Sequence, residues 1–261
     1  MNKSKKVIAA LMLALAVVVA AGCTPDEQTD NGGNNTPVNQ GKRLSKVTWV
    51  YDEGEYSNYE TFTEVTRFTW SGDKISSIDC YEDGDLNYYI NFTYNDGKLT
   101  EVVFQEGSYR YVYKCAYTGD KITHADVYLN DEYYACSDLT YDGAGHITRV
   151  NNDHGDLIFN LTWSGNNVVT CEVVDEGSYT YQYDNKIDPF MGDLGLWGMV
   201  VMEGDFYYLS ANNLVRKQWN SLYSTNVHVV NYDYTYDGDY PLTCSYSSSD
   251  GSGTYYYEYV E

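Results

Sequence analysis

The sequence predicts an all-β protein: an antiparallel meander of about fourteen strands, built from repeated hairpins and curled into a barrel or half-barrel. Three observations predict it. Tyr alone supplies 30 of 261 positions, and Tyr, Thr, Val and Gly outweigh the strong helix formers. An aromatic residue followed by a polar or Gly turn and then an apolar residue recurs, as FTWSGDKISSI (68–78), FTYNDGKLTEV (92–102), CAYTGDKITHA (115–125), LTYDGAGHITRV (139–150), LTWSGNNVVTC (161–171) and YTYDGDYPLTC (234–244). Between these turns, apolar and polar residues alternate with period two. Charge then excludes other classes. With 16 Lys+Arg against 38 Asp+Glu the chain carries a net −22, so there is no basic excess to displace counterions from a nucleic acid. A disordered polyacid is excluded by the aromatic content, which gives the chain enough surface to bury.

The N-terminus comes first in the chain. Lys3, Lys5 and Lys6 precede a 15-residue apolar run from Val7 to Ala21, closed by Ala20-Ala21-Gly22-Cys23. That is the pattern of a secretory signal, and it is short against the roughly 20 residues of a membrane-spanning helix. The segment resembles a bacterial lipoprotein signal, with Ala20 where Leu is commoner. The resemblance implies removal of residues 1–22 and acylation of Cys23 on its sulfur and its new amine, several chains being enough for stable anchoring. Cleavage removes three lysines and no acid and takes the net charge to −25. Lipid, not charge, must therefore hold the chain to an anionic membrane. Residues 23–43 are the lipidated Cys and a flexible tether, rich in Pro, Gly, Asn and Asp and without apolar periodicity. Asp26 and Glu27 resemble the acidic tether start that directs some lipoproteins to the cell surface. The expected location is the outer membrane, with its periplasmic and its surface face both open.

Residues 44–261 read as one β domain. The repeat aromatics Trp70, Tyr94, Tyr117, Tyr141 and Trp163 lie 24, 23, 24 and 22 residues apart, the length of one hairpin. Asp96-Gly97, Asp142-Gly143 and Asp237-Gly238 supply residues that tolerate the positive φ of tight turns. In one strand Tyr109, Tyr111, Tyr113, Cys115 and Tyr117 share a face against Arg110, Val112, Lys114 and Ala116. In another, Leu86, Tyr88, Ile90, Phe92 and Tyr94 oppose Asn87, Tyr89, Asn91 and Thr93. So many half-buried strands twist and curl, and closure removes the edges that invite aggregation. A membrane-spanning barrel shares the period. Mid-strand Tyr, short loops on both sides and a redundant anchor disfavour it.

With these repeats, YQYDNKIDPF (181–190), SANNL (210–214) and YDGDYPLTC (236–244), the chain resembles the uncharacterised bacterial lipoproteins with a porin-like β fold that are common in gut commensals. The resemblance covers residues 44–261. Asp188 stands where that family usually has Asn before Pro-Phe. It implies a fold and carries no activity or catalytic residues.

The hairpin rhythm stops from about residue 186 to 226. Asp188-Pro189-Phe190 reads as a turn, followed by Leu194, Leu196, Trp197, Met199, Val200, Val201 and Met202, then Phe206 to Leu209. Apolar density of this kind does not lie loose on a surface. It packs over one end of the curved sheet as a plug or short helix, or serves as a lid or ligand-facing wall. As a wall, its candidate ligand-binding residues are Trp197, Phe206 and Tyr207.

Catalytic and metal patterns are missing. No HExxH, GxSxG or CxxC is present, so no metal, zinc included, and no cofactor is expected. The internal cysteines Cys80, Cys115, Cys136, Cys171 and Cys244 are odd in number, and four of them fall at core positions of the repeat, where free Cys acts as a small hydrophobe. His124 and His146 flank turns and read as solvated surface. Asp83-Gly84-Asp85, Asp153-His154-Gly155-Asp156 and Asp237-Gly238-Asp239 read as turns, without the spacing of a calcium loop. The expectation is a non-enzymatic, outer-membrane-anchored lipoprotein that binds a hydrophobic or glycan ligand or a partner protein through its curled sheet. The alternative is a structural accessory subunit of an envelope complex with no small ligand.

Overall fold

A computed structural model describes residues 42–52, 61–190, 206–249 and 251–260. Sixteen strands are found among them: Arg43–Asp52 (β1), Thr61–Ser71 (β2), Lys74–Glu82 (β3), Asp85–Asn95 (β4), Lys98–Glu106 (β5), Tyr109–Thr118 (β6), Lys121–Leu129 (β7), Glu132–Tyr141 (β8), Ile147–Asn151 (β9), Leu157–Ser164 (β10), Asn167–Val173 (β11), Gly177–Ile187 (β12), Asn212–Ser221 (β13), Val227–Asp237 (β14), Tyr240–Ser248 (β15) and Gly251–Val260 (β16). Each pairs antiparallel with its neighbours in sequence, and β1 pairs with β16 (Lys46 opposite Glu258, Trp49 opposite Tyr255), so the meander closes into a barrel. Two more strands are present than the repeat count gives. One is β13, which pairs with β12 and β14 inside the span where the rhythm was expected to be lost. The described residues of the excursion that lie outside strands are thus 188–190 and 206–211.

The repeat has a physical meaning that the spacing did not reveal. Each repeat aromatic stands at a β-bulge, as at Thr69/Trp70, Thr93/Tyr94, Ala116/Tyr117, Thr140/Tyr141 and Thr162/Trp163. A bulge bends its strand and re-aims a side chain. Here it lets the aromatic tip donate to a carbonyl of the preceding strand: Trp70 Nε1 to Leu44 O at 2.9 Å, Tyr117 Oη to Leu99 O at 2.9 Å, Tyr141 Oη to Ile122 O at 2.6 Å and Trp163 Nε1 to Ile147 O at 2.7 Å. The cation that opens the preceding strand covers the ring, with Lys98 Nζ 5.1 Å from the Tyr117 centroid and Lys121 Nζ 5.0 Å from that of Tyr141. His146 takes that place over Trp163, stacked at 4.4 Å and hydrogen-bonded to Asp142. It is half-buried, not the solvated surface residue its position had implied.

The turns obey local chemistry. At Asp96-Gly97 both residues have positive φ (50° and 76°). At Asp142-Gly143 the positive φ falls on Gly145 instead, because Asp142 Oδ1 accepts the N–H groups of Ala144 and His146 and lengthens the turn.

The apolar face of every strand points inward. Ile75, Ile90, Leu99, Ile122, Val127 and Val168 are fully buried, and Tyr111 and Tyr113 are buried. The outer face exposes Arg67, Asn91, Lys114, Glu172, Asp233 and Glu258. That polarity is the reverse of a membrane-spanning barrel, where an Arg or Lys on the lipid face costs about 2–4 kcal/mol at the bilayer midplane. The described wall is therefore built to face water. Sixteen strands ordinarily enclose an aqueous channel. Here inward Tyr, Ile and Leu side chains, and both described ends of the 188–211 excursion, fill the interior.

Candidate functional site

Residues Asp188–Phe190 turn into the barrel, and a 3₁₀ turn at Phe206–Leu209 lies inside it with Phe206, Tyr207 and Tyr208 buried. Phe190 meets Phe68 of β2 at 6.4 Å and Tyr257 of β16 at 6.3 Å, while Phe206 meets Phe159 of β10 at 4.9 Å. The two described ends of the excursion thus lie in the interior. Ser210 and Asn212 hold its exit, with Ser210 Oγ accepting from Val168 N at 3.0 Å and donating to Tyr183 Oη at 2.9 Å. Asn212 Nδ2 donates to Lys186 O at 2.9 Å.

Between these ends and the strands β1, β2 and β13–β16 lies a cleft of about 40 Å³, room for about three water molecules. Its lining combines aromatic rings (Trp49, Tyr207, Tyr232, Tyr255) with two carboxyls, Glu64 and Asp188. Trp49 is sandwiched between Tyr51 at 4.1 Å and Tyr255 at 5.5 Å, both nearly parallel to it. Its indole N–H is buried and meets no acceptor among the described residues. An unpaired buried donor forgoes a hydrogen bond that water would have supplied.

Burial governs the titration of this lining. Asp188 is buried, and desolvation pushes its carboxyl up to about 8, opposed by the Phe190 N–H that donates to Oδ1 at 2.8 Å and reinforced by the Asp184 charge. Glu64 is shifted upward mainly by burial, then by the Glu82 charge, against hydrogen bonds from Cys80 and Thr66. The phenols of Tyr255 and Tyr257 are raised well above their ordinary range by burial. Burial likewise lifts the Cys244 thiol to about 12. The cleft therefore presents neutral hydroxyls and a largely protonated Asp188 at pH 7, with no thiolate to act as nucleophile.

The sequence-derived candidates divide. Tyr207 lines the cleft, with its ring 4.2 Å from Tyr208 and 5.9 Å from Tyr181. Phe206 does not line it; its ring is fully buried on Phe159 and belongs to the core of the plug. Trp197 and Cys23 fall outside the described residues. Sequence reasoning missed Trp49, Glu64 and Thr66. A signal for Glu64 and Thr66 did exist, since both share the inward face of β2 with Phe62, Phe68 and Trp70. The five internal cysteines form no disulfide among the described residues; Cys80, Cys171 and Cys244 are buried, as their repeat positions indicated.

This plugged, inward-apolar barrel is similar to a porin-like protein from Bacteroides uniformis ATCC 8492, at 13% identity over 83% of this chain and 98% of that one, with a TM-score of 0.55. A porin-like protein from Bacteroides vulgatus ATCC 8482 aligns at 13% identity over 84% and 99% of the two chains, with a TM-score of 0.40. No protein-family profile and no curated protein matches the chain. The chain thus has the porin-like β fold that its repeats resemble.

Proposed function

We propose that the protein is a non-enzymatic outer-membrane lipoprotein whose barrel holds the terminal sugar of a glycan in the interior cleft. The buried, acceptor-less indole N–H of Trp49 carries this reading. A sugar ring offers a C–H face that stacks on aromatic rings and hydroxyls that pair with N–H and carboxyl groups. Tyr207 and Tyr232 supply aromatic surface, and Trp49, Glu64 and Asp188 the pairing. With room for about three water molecules, the cleft takes only the hydroxyl-bearing edge of that sugar, and its carboxyls weigh against a purely apolar cargo. Anchorage at Cys23 is supported by the signal-like N-terminus. An envelope setting is supported by the fold shared with a porin-like Bacteroides protein.

The test is retention of the full chain on an array of neutral mono- and oligosaccharides. Trp49→Phe keeps an aromatic ring and removes the N–H, so affinity falls about tenfold, the equivalent of one hydrogen bond. No saccharide retained by the wild type, or equal retention by Trp49→Phe and Glu64→Gln, ends the proposal. A second reading, docking on an envelope partner, is favoured by the exposed Leu86, Tyr109, Tyr133, Leu222, Tyr223 and Val227. All six stand at one end of the barrel, where the even-numbered strands begin. Cross-linking from Tyr223 in intact envelopes separates it from glycan capture.

A further inference from the structure

On the outer wall of β7 and β8, away from the cleft, four side chains form a patch. Register sets His124 opposite Asp138 and Asp126 opposite Cys136, and residues two apart on a strand share a face. The donor atoms of His124, Asp126 and Cys136 lie within 4.8 Å of one another. Both nitrogens of the His124 ring face carboxylate oxygens: Nδ1 is 2.8 Å from Asp138 Oδ1, and Nε2 is 3.2 Å from Asp126 Oδ1. A neutral imidazole has a single N–H. Both contacts are satisfied either by a doubly protonated ring, which the two carboxylates favour, or by a cation standing between Nε2 and Asp126. The Asp138 contact is the carboxylate–imidazole pairing that orients a metal-bound histidine and leaves Nε2 as the ligand atom. Two ligand atoms about 2.0–2.1 Å from a tetrahedral ion are about 3.3 Å apart, close to the observed separation of Nε2 and Asp126 Oδ1.

We propose that His124 Nε2, Asp126 and the Cys136 thiolate form a three-ligand site for a zinc-class divalent cation, with Asp138 as a positioning residue and water in the fourth place. Imidazole and thiolate select a borderline-soft ion over calcium or magnesium, which take oxygen ligands. Binding displaces the thiol proton to solvent. Lys114, opposite Asp126 on β6, lays its ammonium over the Tyr128 ring at 4.5 Å. The sequence carries no metal motif, because the ligands are assembled across two strands.

The experiment is cobalt titration of the full chain, reduced, metal-stripped and held in detergent. One equivalent is expected to bring up the thiolate-to-cobalt charge-transfer band and the ligand-field bands of a tetrahedral ion, both bleached by zinc. Cys136→Ser abolishes the charge-transfer band, while Cys115→Ser leaves it. Asp138→Asn weakens cobalt binding about 10- to 100-fold without changing the melting of the metal-free protein. No charge-transfer band at saturating cobalt, or a band that survives Cys136→Ser, overturns the site. A wild-type measurement stands beside the variants. Zinc should slow alkylation of Cys136 at least about tenfold, by the same coordination chemistry, and an unchanged rate overturns the proposal as well.

Discussion

Replacing Phe206 by Ala tests whether the excursion is a structural plug or a ligand wall. Phe206 is fully buried, with its ring 4.9 Å from that of Phe159 on β10. It stays clear of the cleft, which its neighbour Tyr207 lines. Truncation removes a whole aromatic ring from a packed interior whose backbone is held by the closed barrel, so the site cannot collapse to fill the void. Phe→Ala changes of this kind cost about 3–5 kcal/mol. For a domain of this size each kcal/mol moves the midpoint by about 2–4 °C, so the melting temperature falls by about 6–20 °C. The assay is thermal unfolding followed by near-ultraviolet circular dichroism on the full chain, with saccharide retention measured at a temperature where both proteins are folded. The reasoning predicts a large loss of stability with retention preserved. A variant that melts within about 2 °C of the wild type while retention disappears refutes it, because Phe206 would then be touching ligand and not holding the plug.

Asp188 makes stability depend on pH. Its carboxyl is raised from an ordinary 3.8 to about 8, so between those values the folded protein binds a proton that the unfolded chain has released. The stabilisation is complete below about pH 4 and is lost as pH rises through about 8. Denaturant titrations should show this decline, and Asp188→Asn should flatten it and be the more stable protein at pH 8. A slope that persists in Asp188→Asn assigns it elsewhere, with Glu64, whose carboxyl is shifted the same way, as the next group to replace. Gly253→Ala at the β1–β16 seam should destabilise by about 1–3 kcal/mol, because the added Cβ would lie 2.6 Å from the Tyr246 ring and 2.8 Å from Val50 O. Urea unfolding measures it, and a neutral result would mean that the seam yields where the packing says it does not.

The β meander, its inward face and its turns were legible in the residues, because strand alternation and tight-turn chemistry are local. Asp96 tolerates positive φ through its short polar side chain, and Gly97 by having none. Tyr111 and Tyr113 point inward because every second residue must share a face. Phe190 and Phe206–Leu209, the described ends of the excursion, were legible as apolar residues that break the repeat. Tertiary structure alone decided closure, which depends on β1 meeting β16 some two hundred residues later. It also decided which aromatic becomes core and which becomes wall: Phe206 and Tyr207 are adjacent in sequence, and only the strands that surround them separate Phe159 from the cleft. Trp49, Glu64 and Asp188 come together for the same reason, as do His124, Asp126 and Cys136. A pattern along a strand records which way a side chain faces, whereas a site depends on what faces it from strands that the sequence does not place beside it.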